Sequence, residues 1–153
     1  MDKKFRCDCP ITSALDVLGD KWMLVIVKQM LLEERRTFKD FIAADEAVAS
    51  NILSAKLKLL EDLKLVEKSK LPNNKKTNVY HLTEKGLSLI PIIVELTIWS
   101  DENLREFHPI IQSGPVMASM KADKEAAAMA LRTNYQQRLA EAHPELVKST
   151  TPG

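Results

Sequence analysis

The chain has 153 residues, 45% of them hydrophobic, enough for one domain of ordinary size with a real core. Four Gly and seven Pro exclude a collagen-like or glycine-rich disordered chain, and 28% charged residues at a net charge of +1 exclude a supercharged tail protein. No apolar run approaches the roughly 18 residues of a membrane span, and two cysteines two positions apart cannot staple distant parts of a chain.

Cys9-Pro10 followed by Ile11, Ala14, Leu15 and Leu18 predicts a short helix with proline in its first turn. Gly19 is expected to end it in the left-handed conformation that glycine adopts at little cost. From Lys21 to about Leu32 apolar residues cover nearly the whole circumference, so this helix belongs at the centre of the domain. Thr37-Phe38-Lys39-Asp40 has the logic of a capping box and opens a short helix with Phe38, Phe41 and Ile42 on one face. Ala43 to Ala47 can form a turn. In the next helix Leu53, Leu57 and Leu60 recur at i, i+4 and i+7, while Ser50, Asn51, Ser54, Lys58 and Asp62 lie opposite, flanked by Ala55 and Lys56.

After Leu63 the period changes. Residues 65–71 read as a strand, Pro72-Asn73-Asn74 as a turn and 78–82 as a second strand. Thr83 is expected to cap a long apolar helix running towards Trp99, kinked at Pro91. An Ala-rich amphipathic helix with Leu131, Tyr135 and Leu139 on one face comes last. The expected fold is mainly α with a small β-hairpin wing, a winged helix-turn-helix. A DNA-binding and dimerisation domain would cover 7–107, a linker 108–117, the C-terminal helix 118–142 and a flexible tail 143–153.

Charge is unevenly distributed along this order. Residues 50–85 carry eight lysines against four acids, whereas the segments on either side are balanced or slightly acidic. A charge run alone is an ordinary solvated face, but here it covers a polar-faced helix and the hairpin after it. The major groove of B-DNA admits a helix, and short polar side chains near the start of that helix meet the base edges. Ser50, Asn51 and Ser54 fit that position, with plain helix capping as the bland alternative for Ser50 and Asn51. Lys56 and Lys58 on the flank and Lys70, Lys75 and Lys76 in the hairpin would neutralise phosphates, which adds affinity without sequence information.

The runs Cys9-Pro10-Ile11, Gly19-Asp20-Lys21-Trp22, Arg36-Thr37-Phe38, Ala49-Ser50-Asn51-Ile52-Leu53 and Tyr80-His81-Leu82-Thr83-Glu84-Lys85-Gly86, with Trp99 beyond, follow one another in a familiar order. In this the chain resembles the HxlR-type winged helix-turn-helix transcriptional regulators, a MarR-like group, over about residues 7–107. The resemblance implies a cytoplasmic homodimer on a near-palindromic operator in double-stranded DNA, with the N-terminal and long C-terminal helices at the dimer interface. It places Ser50, Asn51, Ser54 and Lys56 on the recognition helix and Lys75 and Lys76 on the wing. Arg36, Thr37 and Lys58 join them as candidate DNA contacts. Lys64 stands where such proteins often carry glycine, and Thr77 where arginine would be expected. The tail from His108 lies outside the family core, and a dimer-bracing, partner-binding or simply docked helix fits it.

Cys9 precedes a helix start with Lys3, Lys4 and Arg6 nearby, and both features favour the reactive thiolate, while Asp8 opposes it. Some proteins of similar sequence sense oxidants or electrophiles at this cysteine, which makes Cys9, with Cys7, a candidate redox sensor. Cys9 as a small buried packing residue is the other reading. No metal is expected, since two thiolates supply half of a tetrahedral shell and His81, His108 and His143 are scattered. No cofactor or enzymatic activity is expected either: no glycine loop, H-E-x-x-H or paired nucleophile and base is present. No apolar stretch follows the basic N-terminus, so a cytoplasmic location is expected. A winged-helix protein-interaction module, or a regulator without thiol sensing, are the alternative functions.

Overall fold

The computed structural model describes residues 4–107 and 114–148. Helices α1 (Pro10–Leu18), α2 (Lys21–Glu33), α3 (Phe38–Ile42) and α4 (Ser50–Asp62) precede an antiparallel hairpin of β1 (Val66–Leu71) and β2 (Asn74–Leu82). Helices α5 (Glu84–Leu87), α6 (Ile90–Asn103), α7 (Pro115–Ala122), α8 (Lys124–Ala142) and α9 (Pro144–Lys148) follow. The chain divides after Gly86 into two compact units. Among the described residues no helix is long and apolar enough to cross a membrane.

The first unit is built around α2, as its nearly all-round apolar sequence requires. Met23, Ile26, Val27 and Met30 are all buried. Asp20 opens the helix by accepting from the amides of Trp22 and Met23. The capping box at α3 forms in full, Thr37 Oγ1 accepting from the Asp40 amide while Asp40 Oδ2 accepts from that of Thr37. Phe41 is fully buried and meets Tyr80 of β2 edge-on, with ring centroids 6.4 Å apart. Leu53, Leu57 and Leu60 of α4 also enter the core, which fixes which face of α4 is left outside.

The turn from α3 to α4 contains Ala47 in the left-handed region at φ 53°, a conformation usually left to glycine. Glu46 beside it is tied to α2 by the Nε2 of buried Gln29 at 2.8 Å and by the Lys28 ammonium. The end of α4 answers the question raised by Lys64. Leu65 N donates to Leu60 O and Lys64 N to Glu61 O, the paired bonds of a Schellman motif, with Lys64 itself at φ 63°. A lysine thus occupies the left-handed position, and the Thr83 hydroxyl donates to its carbonyl at 2.6 Å.

Several sequence expectations are corrected in detail. Gly19 is right-handed at φ −73°, and it is glycine for a different reason: a Cβ there would collide with the Leu15 carbonyl. Thr83 does accept from the Gly86 amide, but the helix it opens is short. The long helix begins afresh at Ile90, so Pro91 lies in its first turn, where a missing N–H costs nothing, and makes no kink. The single helix expected over 118–142 is two, starting at Pro115 within the expected linker and broken at Asp123, which turns extended and caps α8 through the Ala126 amide. Helix α9 occupies 144–148, where a tail was expected. Residues 108–113 of the linker, with His108, and residues 149–153 of the tail lie outside the described residues.

In the second unit α6 buries Ile90, Ile93, Val94 and Ile98, and α8 packs on it through Tyr135 and Leu139. The buried Asp101 carboxylate accepts from Arg105 and from Lys121 of α7, both at 2.7 Å, and these two cations hold its pKa below the ordinary carboxylate value. On the other side of α6, Ile92, Leu96 and Trp99 are exposed at i, i+4 and i+7.

Candidate nucleic-acid interface

With the leucines of α4 turned inward, Ser50, Asn51 and Ser54 lie exposed on its outer side near its first turns. They are not spent on capping. The N-cap is Ala49, which has no polar side chain, so the leading amides of α4 have no side-chain acceptor. That leaves two hydroxyls and one amide group, beside the positive end of a helix dipole, facing outward.

The wing follows directly. Pairing runs in register from Val66 opposite Leu82 to Lys70 opposite Asn78, then steps so that Leu71 faces Asn74 across the Pro72-Asn73 turn. Lys75, Lys76 and Thr77 are the extra residues of this step, and both lysines are exposed. Asn74 organises it, its Nδ2 donating to Thr77 Oγ1 and its Oδ1 accepting from the Lys76 amide. The strand therefore starts four residues before the predicted one, because the Asn74 side chain supplies polar partners that the ladder does not. At its root Val79, Tyr80 and Leu82 are buried, and His81 Nε2 lies 3.0 Å from Glu67 Oε2 across the strands.

Three of the candidate contacts are engaged elsewhere. Arg36 is buried; its carbonyl accepts from the Tyr80 amide at 2.7 Å, its amide donates to Asp40, and its guanidinium lies 3.5 Å from Glu34. It fastens the hairpin to the start of α3. The Thr37 hydroxyl is occupied as the α3 cap. The Lys56 ammonium is paired with Asp20. Lys58, in contrast, is largely exposed, with an i,i+4 partner in Asp62 that keeps its ammonium charged and raises its pKa. Asp20 is the residue the sequence reading left out. Its position just before an apolar helix marks an N-cap, but its pairing with a lysine 36 places on has no local signature.

Cys7 and Cys9 are both exposed, so Cys9 is not the buried packing residue that was the alternative. Cys9 is the N-cap of α1, and its thiol pKa is lowered from 9.0 by the Thr12 amide first, then by the Thr12 hydroxyl and the Ile11 amide. Arg6, one of the basic residues expected to lower it, is paired with Asp16 instead.

Comparison with known proteins gives a consistent set of likenesses. A family model for HxlR-like helix-turn-helix proteins matches residues 17–108. The HTH-type transcriptional regulator YodB of Bacillus subtilis is 32% identical over 95 residues, which cover 61% of this chain and 84% of YodB. The solved structure of its reduced form aligns with a TM-score of 0.52 at 30% identity, over 63% of this chain and 95% of that one. The uncharacterized HTH-type transcriptional regulator YvaP of the same organism is 35% identical over 95 residues, 61% of this chain and 87% of its own. The redox regulator HypR in its oxidized form aligns with a TM-score of 0.54 at 27% identity, over 62% of this chain and 97% of HypR.

Proposed function

The chain belongs to the HxlR-like helix-turn-helix family, and from that premise we propose that it is a cytoplasmic transcriptional regulator that binds a near-palindromic operator in duplex DNA as a homodimer, with Cys9 as a sensor of oxidants or electrophiles. The observation that carries the DNA reading is the outward polar side of α4, uncapped and followed at once by an exposed lysine loop. In this reading Ser50, Asn51 and Ser54 meet base edges, with Asn51 suited to adenine. Lys58, Lys70, Lys75 and Lys76 meet phosphates. Arg36, Thr37 and Lys56 support the scaffold. Two-fold symmetry would set the recognition helices about 34 Å apart, matching half-sites one turn apart.

Binding to duplex fragments selected from a random pool tests this reading. The logarithm of the affinity falls steeply with the logarithm of salt concentration, and Lys75→Gln or Lys76→Gln each lowers the slope by about 0.9. A slope that neither change moves removes the wing from the interface, and salt-insensitive binding would favour a protein partner.

The sensor reading rests on an exposed thiol at an open helix N-terminus, and it is supported by redox regulation in the name of HypR. Alkylation of Cys9 by iodoacetamide is expected to rise with pH to a midpoint below 9, while Cys9→Ser abolishes any effect of mild peroxide or quinone on operator binding. Equal responses of C9S and the unaltered protein would end the sensor reading and leave the DNA reading standing.

A further inference from the structure

Asp20 divides its two carboxylate oxygens between two helices. Oδ1 accepts from the amides of Trp22 at 2.7 Å and Met23 at 3.3 Å and so caps α2. Oδ2 receives the Lys56 ammonium from the flank of α4. Partial burial works against ionisation of Asp20, but Lys56 and the two amides outweigh it and keep the carboxylate charged at neutral pH. The Lys56 side chain is accordingly 25% exposed, against 71% for Lys58 two positions on.

The partner of this tie is the fixed part of the unit, since α2 forms the centre of its core. Leucine packing decides which face of α4 turns inward, and directional contacts refine its rotation and axial position within that choice. Glu46, tied to Lys28 and Gln29, fixes the chain entering α4, and Asp20 fixes the helix itself two turns further along. An ammonium paired with a carboxylate and only 25% exposed brings no net charge to a phosphate and displaces no cation from the DNA. The pair of Lys58 with Asp62, in contrast, lies open to solvent and can exchange for a phosphate.

From this geometry we propose that Asp20 is a positioning residue for the recognition helix, and that Lys56 is the anchored end of the tie and not a phosphate ligand. The inference rests on the reading of α4 as the helix that meets the bases.

Asp20→Asn separates the two jobs, because asparagine still offers an oxygen to cap α2 but no charge to Lys56. Affinities for a duplex selected by the unaltered protein, and for random duplex, are measured against salt for D20N, K56Q, K56R and the double variant D20N/K56Q. Hydrogen exchange of the α4 amides is followed without DNA. K56Q is expected to leave the salt slope unchanged and to lower the preference for selected over random duplex about two- to fivefold. D20N lowers the preference to the same degree, with a slope equal or steeper because Lys56 is released. The double variant is no worse than either single one, and K56R keeps the preference. Exchange in α4 speeds up equally in D20N and K56Q. A slope reduced by about 0.9 in K56Q with D20N silent would make Lys56 a phosphate contact and overturn the proposal. Independent, additive losses, or exchange and preference unchanged in D20N, overturn it as well. If the unaltered protein shows no salt-dependent duplex binding, the DNA reading fails instead, and the exchange measurement alone decides whether the tie orders α4.

Discussion

Leu96→Glu or Trp99→Glu is expected to convert the proposed homodimer to monomer at micromolar concentration and to lower the affinity for the selected duplex about 100-fold or more. The expectation comes from the stripe of Ile92, Leu96 and Trp99 on α6. These side chains repeat at i, i+4 and i+7, so they form one apolar strip that water covers in the isolated protomer. Helix α1 adds a second such surface, with Ile11 71% and Leu15 61% exposed and no residue buried along its length. A carboxylate placed in a dry interface costs several kcal/mol of desolvation, and two-fold symmetry introduces each charge twice. Loss of the dimer then removes one half-site and its phosphate contacts together. Leu96 and Trp99 are about half exposed within the protomer, so the variants should keep their helical content and fold. Sedimentation equilibrium decides the matter: a stable dimer in both variants places the interface on other residues.

Phe41→Ala is expected to destabilise the first unit by about 3–5 kcal/mol, against about 5–15 kcal/mol for the whole of a typical domain. The Phe41 ring is wholly buried and leans edge-on against Tyr80, so truncation removes apolar burial, an aromatic contact and packing between α3 and β2 at once. Phe38 is the internal control. It sits three residues earlier on the same helix but is 38% exposed, and Phe38→Ala should cost less than about 1 kcal/mol. Urea unfolding of both variants checks the contrast. Similar midpoints would mean that α3 is not the clasp between the core helices and the hairpin.

What could be read from the sequence is what short-range chemistry dictates. The capping box at Thr37 involves residues three apart, and the leucines of α4 declare their face by spacing alone, so both were legible. The lysine wing was legible because turn residues and alternation are local, although its first strand residues were hidden by the asparagine-supported step at 74–78. Pro91 misled because a proline inside an apolar run suits a kink as well as a first turn, and the choice depends on where the preceding chain breaks. Pairings over long separations left no local trace. Nothing near Lys56 announces Asp20, nothing near Arg36 announces Tyr80, and nothing near Asp101 announces Lys121. One of them ties up Lys56, whereas Arg36 is set aside by its burial. A lysine in a basic segment looks available until its distant partner is known.

The step in the hairpin has a consequence for how this surface can change over time. Root residues 79–82 are all buried and must keep their register, since a slip would pull these side chains out of the packing they fill. Lys75, Lys76 and Thr77 are released from that constraint because no opposing strand residue counts them. Tip length and cation number can therefore vary between lineages while the root stays in place, so the proposed hold on the sugar-phosphate chain can be retuned without disturbing the clasp beneath it.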